Sequence, residues 1–216
     1  MCVLAFVANQ ATAAVPPAPK LPADAYFLMD ATTGQVLVDH NGDLSLPPAS
    51  LTKIMTSYVL AEEVDAGRAS LDDMIKVSRN AWSQNPTFKG SSLMWIEPGK
   101  PVSLADLERG VVISSGNDAS VAVAEHLAGT ESSFVDVMNQ LAAELGLDNT
   151  VYRNPHGLPH PEHRTTARDL ATLSVALING HPEHYKIYKE QSFTYNGIKQ
   201  YNRNSLLRSD ATVDGL

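Results

Sequence analysis

Residues 47–59 read PPASLTKIMTSYV. The proline pair cannot sit inside a helix, but it suits the approach to one. Past it, Leu51, Ile54, Met55, Tyr58 and Val59 recur at helical spacing. That spacing predicts a helix from about Ser50 to Asp65, with Gly67 as its terminator. Ser50 and Lys53 lie three residues apart at its start, on one face. A serine hydroxyl is a poor nucleophile without an adjacent base. A lysine amine serves as that base only when burial or a nearby cation lowers its pKa. The apolar run around Lys53 offers such burial, and a helix N-terminus favours negative charge developing beside it. Taken alone, Ser-x-x-Lys recurs by chance, and the plain alternative is a surface cap beside a solvated lysine.

Upstream, Tyr26 to Asp30 and Gln35 to Asp39 are short apolar runs joined through Gly34, which predicts a β-hairpin. Asn41-Gly42-Asp43 is a further turn. Downstream, residues 80–101 hold Asn85-Pro86, Lys89-Gly90 and Glu97-Pro98-Gly99, and read as irregular. Ser103 and Asp106 form a capping-box pattern ahead of a helix to about Ile113. Gly116 interrupts it, giving the backbone a sharp turn. Helices follow over about Asp118 to Leu127 and Glu131 to Leu145, the second capped by Thr130. Thr166 and Asp169 cap another, which ends at Asn179-Gly180. Gln191 to Tyr195 and Ile198 to Tyr201 flank Asn196-Gly197, the strongest short hairpin signal. Strands thus sit at both ends and helices between them. That order predicts an α+β fold, an antiparallel sheet with a helical lobe over roughly residues 68–185 inserted between its strands.

The 216 residues suffice for one large core, and the net charge of −8 excludes the basic footprint of a non-specific nucleic-acid binder. One cysteine, Cys2, allows no intrachain disulfide. Residues 3–8 (VLAFVA) and 11–14 (ATAA) pattern as the back half of a secretory signal over 1–14 without a basic n-region. A short apolar tail is the alternative. A proline-rich lead-in follows over 15–24, and later runs fall short of the ~20 apolar residues of a membrane span.

Ser115-Gly116-Asn117 is the second element of interest. A second hydroxyl near a lysine relays a proton, and an asparagine amide holds a substrate carbonyl or the lysine itself. Alone it reads as a polar helix break. Together with Ser50 and Lys53 it matches the pattern of penicillin-binding proteins and class A β-lactamases. The segments PASLTKIMTSYV, FKGSSLM, ISSGNDAS, HGL, TARDLA, NRNSLL and VDGL, in that order, resemble the D-alanyl-D-alanine carboxypeptidases among the low-molecular-mass penicillin-binding proteins. The resemblance runs from Ala25 to the end.

It implies a β-lactamase/transpeptidase-like fold, a Ser50 nucleophile, a Lys53 base, and Ser115 and Asn117 as catalytic partners. No cofactor and no metal are implied. The implied partners are a peptidoglycan stem peptide and β-lactam antibiotics. The implied location is the periplasm, on the outer face of the inner membrane through a C-terminal anchor absent from this chain. The family's third motif, Lys-Thr-Gly, follows VDGL on a core strand. Here VDGL is residues 213–216, so residues 25–216 read as a catalytic domain truncated before that strand, with activity lost. A class A-like β-lactamase and a catalytically dead peptidoglycan-binding fragment stand as alternatives.

His156, His160 and His163 lie close together, but prolines interleave them and their spacing is not helical. A metal site is disfavoured there, and His156 reads as a structural loop residue. Arg203, in Asn-Arg-Asn, is a candidate for holding the substrate carboxylate, with a structural ion pair as the equal alternative. Trp82, Trp95 and the methionines read as core or cleft lining.

Overall fold

The computed structural model describes residues 18–215. The signal-like stretch 1–14, with Cys2, the start of the proline-rich lead-in and Leu216 lie outside them. Strands β1 (Tyr26–Met29) and β2 (Val36–His40) form the first antiparallel hairpin. Helix α1 (Thr52–Asp65) follows a 3-10 turn over Ala49–Leu51. Short strands β3 (Met74–Ile75) and β4 (Val102–Ser103) pair across the irregular 80–101 stretch. Then come α2 (Leu104–Val112), α3 (Asn117–Ala128), α4 (Glu131–Glu144), α5 (Ala167–Gly180) and the single turn α6 (Pro182–Tyr185). Strands β5 (Ser192–Tyr195) and β6 (Ile198–Tyr201) close as a second hairpin. No helix among the described residues is long and apolar enough to cross a membrane.

The capping signals act as read. Ser103, Thr130 and Thr166 each accept from the backbone N–H three residues on, satisfying a donor that the first helical turn leaves open. Gly129 and Gly146 follow α3 and α4 with positive φ. Asn196 (φ 48°) and Gly197 (φ 76°) supply the two left-handed residues of the β5–β6 turn. The antiparallel pairs form three separate ladders among the described residues. The first hairpin is held by α5, which packs on β1. Arg168 of α5 bonds Asp43 at 2.7 Å and Asp39 at 2.6 Å, with its guanidinium 4.6 Å from the centre of the Phe27 ring.

Helix α1 departs from the one-faced helix that its spacing predicts. Ten successive residues, Thr52 to Ala61, are buried, polar Thr52, Lys53, Thr56 and Ser57 among them. It runs through the middle of the molecule, touching α2, α3, α4 and α5, so every side of it meets protein. Leu51 is the reverse case. It falls in the 3-10 turn, whose tighter winding leaves it 52% exposed at the rim of a cleft.

Two further expectations are corrected. The sharp turn after α2 is made by Ser115 itself (φ 57°), whereas Gly116 has an ordinary φ of −66°. Gly116 is needed for space, since a Cβ there would lie 3.0 Å from both the Met94 nitrogen and Asp118 Oδ1. Trp95 and Met74 are not core, being 50% and 61% exposed, while Met55, Met94 and Met138 are fully buried.

Candidate active site

The N-terminal end of α1, the α2–α3 junction and the chain after β6 meet around a cleft of about 640 Å³. Ser50, Lys53, Ser92, Ser115, Asn202 and Arg203 line it. Four of the five residues singled out from sequence therefore share one cavity, and the fifth, Asn117, reaches it through Lys53.

Lys53 is 5% exposed. Its Nζ donates to Asn117 Oδ1 and to the His156 carbonyl, each at 2.7 Å. Burial lowers its pKa to about 7, with Asp118 opposing and Arg203 assisting. A neutral amine has two N–H bonds and one lone pair. Two acceptors take the two N–H bonds, which leaves the lone pair to receive a proton. The Ser115 hydroxyl is buried without a hydrogen-bond partner.

Left-handed backbone delivers both serines. Ala49, just before Ser50, has φ 46°, and Ser115 has φ 57°. Such a conformation costs about 1–3 kcal/mol at a non-glycine residue and persists only where the surroundings enforce it. At Ala49 the enforcement is visible. Gly157 packs so closely that a Cβ on it would lie 1.7 Å from the Ala49 carbonyl oxygen. Its own φ of 86° favours glycine independently.

Gly157 belongs to the 153–163 loop, which is fastened to successive turns of α1. The Thr56 hydroxyl donates to the Pro155 carbonyl at 2.6 Å, and Thr52 Oγ1 lies 2.8 Å from His163 Nε2. The Arg153 N–H points at His163 Nδ1 (3.4 Å), so Nε2 carries the ring proton and donates to Thr52. Burial lowers both loop histidines, His163 to about 4 and His156 to about 3, and both are neutral. Within this loop the His163 ring and the His156 carbonyl thus fasten the start of α1. Sequence reading noted HGL but gave the loop no part in the site. The loop acts through carbonyls, a missing Cβ and one ring, none of which has a spacing signature. Ser92 and Asp118 were missed in the same way, although both sit in quoted family segments.

Arg203 does reach the cleft. Its Nη2 donates to Ser92 Oγ at 2.8 Å, and no ion pair engages it among the described residues. The Ser92 carbonyl accepts from the Asn117 N–H at 2.9 Å, which ties this rim to the second motif.

The family model for D-alanyl-D-alanine carboxypeptidases matches residues 10–216. The chain belongs to this family. D-alanyl-D-alanine carboxypeptidase DacC of Escherichia coli is 49% identical over 214 residues, covering 98% of this chain and 52% of that one. The chain therefore spans about half the length of this curated relative. Penicillin-binding protein 5 from Haemophilus influenzae superposes with a TM-score of 0.88 at 45% identity, covering 91% of this chain and 56% of that one. Penicillin-binding protein D2 from Listeria monocytogenes, solved with cefotaxime bound, gives 0.81 at 30% identity, covering 93% and 80%. The α+β fold of these carboxypeptidases and penicillin-binding proteins is the fold of this chain.

Proposed function

We propose that this chain carries the nucleophile and base of a serine D-alanyl-D-alanine carboxypeptidase acting on peptidoglycan stem peptides. The observation that carries the reading is Lys53, a buried amine with both N–H bonds engaged and a pKa near 7, one helical turn from a cleft-lining serine.

In this reading the Ser50 hydroxyl attacks the carbonyl carbon between the last two D-alanines as its proton passes to Lys53 Nζ. Backbone N–H donors, that of Ser50 among them, hold the oxyanion. The C–N bond then breaks. The proton returns from Lys53 to the leaving amine, with the unpartnered Ser115 hydroxyl as the relay. Water attacks the resulting ester, releases the shortened peptide and restores Ser50. A β-lactam acylates the same oxygen, its ring nitrogen taking the proton. The periplasm is the proposed location, supported by the signal-like pattern over residues 1–14, with membrane attachment through a C-terminal anchor.

The resemblance also assigns a part to a Lys-Thr-Gly strand, and no such triplet occurs in these residues. We read residues 25–216 as a catalytic domain that needs that strand for carboxylate binding and for a second oxyanion donor. Losing one such donor costs about 10²–10³ in rate, so residues 1–216 alone should turn over negligible peptide. The test expresses residues 1–216 and the complete gene product side by side, with penicillin labelling, peptide cleavage and mapping of the adduct by peptide mass spectrometry. Acylation at Ser50, lost in Ser50→Ala, is expected of the complete product. An adduct on another serine sinks the reading, and full cleavage by residues 1–216 sinks the need for the third strand.

A further inference from the structure

Asp118 follows the Ser115-Gly116-Asn117 triplet and takes no part in the reaction above. Its side chain is fully buried. Oδ1 accepts from the backbone N–H groups of Met94 (2.8 Å) and Ala119 (2.9 Å), and Oδ2 from those of Trp95 (2.8 Å) and Ile96 (3.1 Å). Three successive amides thus converge on one carboxylate, with Trp95 in the left-handed region at φ 73°. This is a backbone nest built around an internal anion. A proton on either oxygen would face an N–H donor, so the geometry calls for the ionised group. Burial raises the carboxyl's pKa, and the four donors pull against it.

The gathered segment leads to the rim of the cleft. Ser92, two residues before Met94, accepts from Arg203 through its hydroxyl and from Asn117 through its carbonyl. The Met94 carbonyl accepts from Gln200 Nε2 of β6 at 3.1 Å. One stretch of chain, folded around Asp118, therefore joins the second motif to β6 and Arg203.

We propose that Asp118 is a positioning residue for the reaction: it folds residues 94–96 around its carboxylate so that Ser92 holds Arg203 at the cleft, and it keeps a negative charge behind the Lys53–Asn117 contact. The substrate part of this proposal rests on the carboxypeptidase reading; the electrostatic part does not. The charged and titratable groups facing Lys53 are Asp118 on α3, Arg203 beyond β6 and neutral His156 in the 153–163 loop. Asp118 raises the Lys53 pKa and Arg203 lowers it. Removing the two charges must therefore move Lys53 in opposite directions.

The experiment follows the Lys53 amine by ¹⁵N-lysine NMR titration in the complete gene product, beside D-Ala-D-Ala peptide kinetics. Asp118→Asn should lower the Lys53 midpoint by about one pH unit, the scale of one nearby opposite charge. Arg203→Gln should raise the midpoint, and should also raise KM. Asp118→Glu keeps the charge but carries an extra methylene that the nest has no room for. It should hold the midpoint while KM rises. Ser92→Ala lies on the half-buried rim and removes only the acceptor for Arg203. It should raise KM about tenfold at constant kcat and constant midpoint, the mark of lost uniform binding. An unchanged midpoint in folded Asp118→Asn overturns the proposal. If Asp118→Asn does not fold, Ser92→Ala and Arg203→Gln decide, and unchanged KM in both overturns it. A wild-type protein that titrates as expected yet cleaves no D-Ala-D-Ala peptide overturns the functional reading alone, because the titration uses no substrate.

Discussion

The corner around Lys53 and the terminal hairpins are built on opposite terms. Around α1 ten successive residues are buried, and the 153–163 loop, α3 and the 92–96 stretch all bond into that corner through polar groups. The β1–β2 hairpin buries little. Leu28, Val36 and Leu37 are 54%, 46% and 54% exposed, and the hairpin leans on α5 through Arg168. The β5–β6 hairpin likewise exposes Ile198 and Tyr201. Two-stranded ladders are marginal by themselves and take their stability from what covers them. The difference shows where rigidity was needed. A lysine tuned by burial keeps its pKa only if water is kept out, while a strand register tolerates an open face.

Four substitutions test that contrast. The largest effect belongs to Lys53→Arg, which keeps the charge but not the ability to shed a proton. Acylation by fluorescent penicillin in the complete gene product should fall by about 10²–10⁴, the usual worth of a positioned base. In the wild type the acylation rate should rise with pH around a midpoint near 7, where the Lys53 amine loses its proton, because the proposed reaction uses the neutral amine, and this limb should vanish in the variant. A variant that keeps the limb shows that another group is the base.

The next effect probes the corner away from the chemistry. His184 lies 2.5 Å from buried Glu108 and faces Asp65 of α1, while His181 bonds Asp65 and Glu62. Its hydrogen bond to Glu108 is the main force raising the His184 pKa above 6.5, with burial opposing. The pair's stabilisation is therefore fully present below pH 6.5 and is lost as pH rises through the raised folded value. His184→Gln should cost about 3 kcal/mol at pH 6, since it removes the positive partner of a buried carboxylate. The deficit should shrink toward pH 9. Urea unfolding at the two pH values measures it, and a deficit independent of pH refutes the charged pair.

The two smallest effects set the regions against each other directly. Gly157→Ala and Gly197→Ala both force alanine into left-handed backbone, but only the first meets another atom, the Ala49 carbonyl, whereas Gly197 faces open space. Gly157→Ala should cost about 2–3 kcal/mol through strain plus overpacking, and should slow acylation because Ala49 positions Ser50. Gly197→Ala should cost only about 1 kcal/mol, with acylation intact. Equal melting temperatures for the two variants would show that corner and hairpin tolerate alanine alike.

The sequence by itself determined what depends on neighbours along the chain. Helix caps at Ser103, Thr130 and Thr166, terminators at Gly129 and Gly146, and the Asn196-Gly197 turn are local chemistry, and each appears where its residues put it. The pairing of Ser50 with Lys53 was legible too, because i and i+3 share a helix face. Tertiary structure alone decided which sides of α1 are buried, that Ser115 rather than Gly116 makes the turn, and that Trp95 is exposed. It also decided the partners of Lys53, which come from 64 and 103 residues away, and the amides around Asp118, three of which come from 22 to 24 residues away. Carbonyls and N–H groups are the same at every residue. A site assembled from them leaves no mark in side-chain pattern, and only the folded chain shows which ones converge.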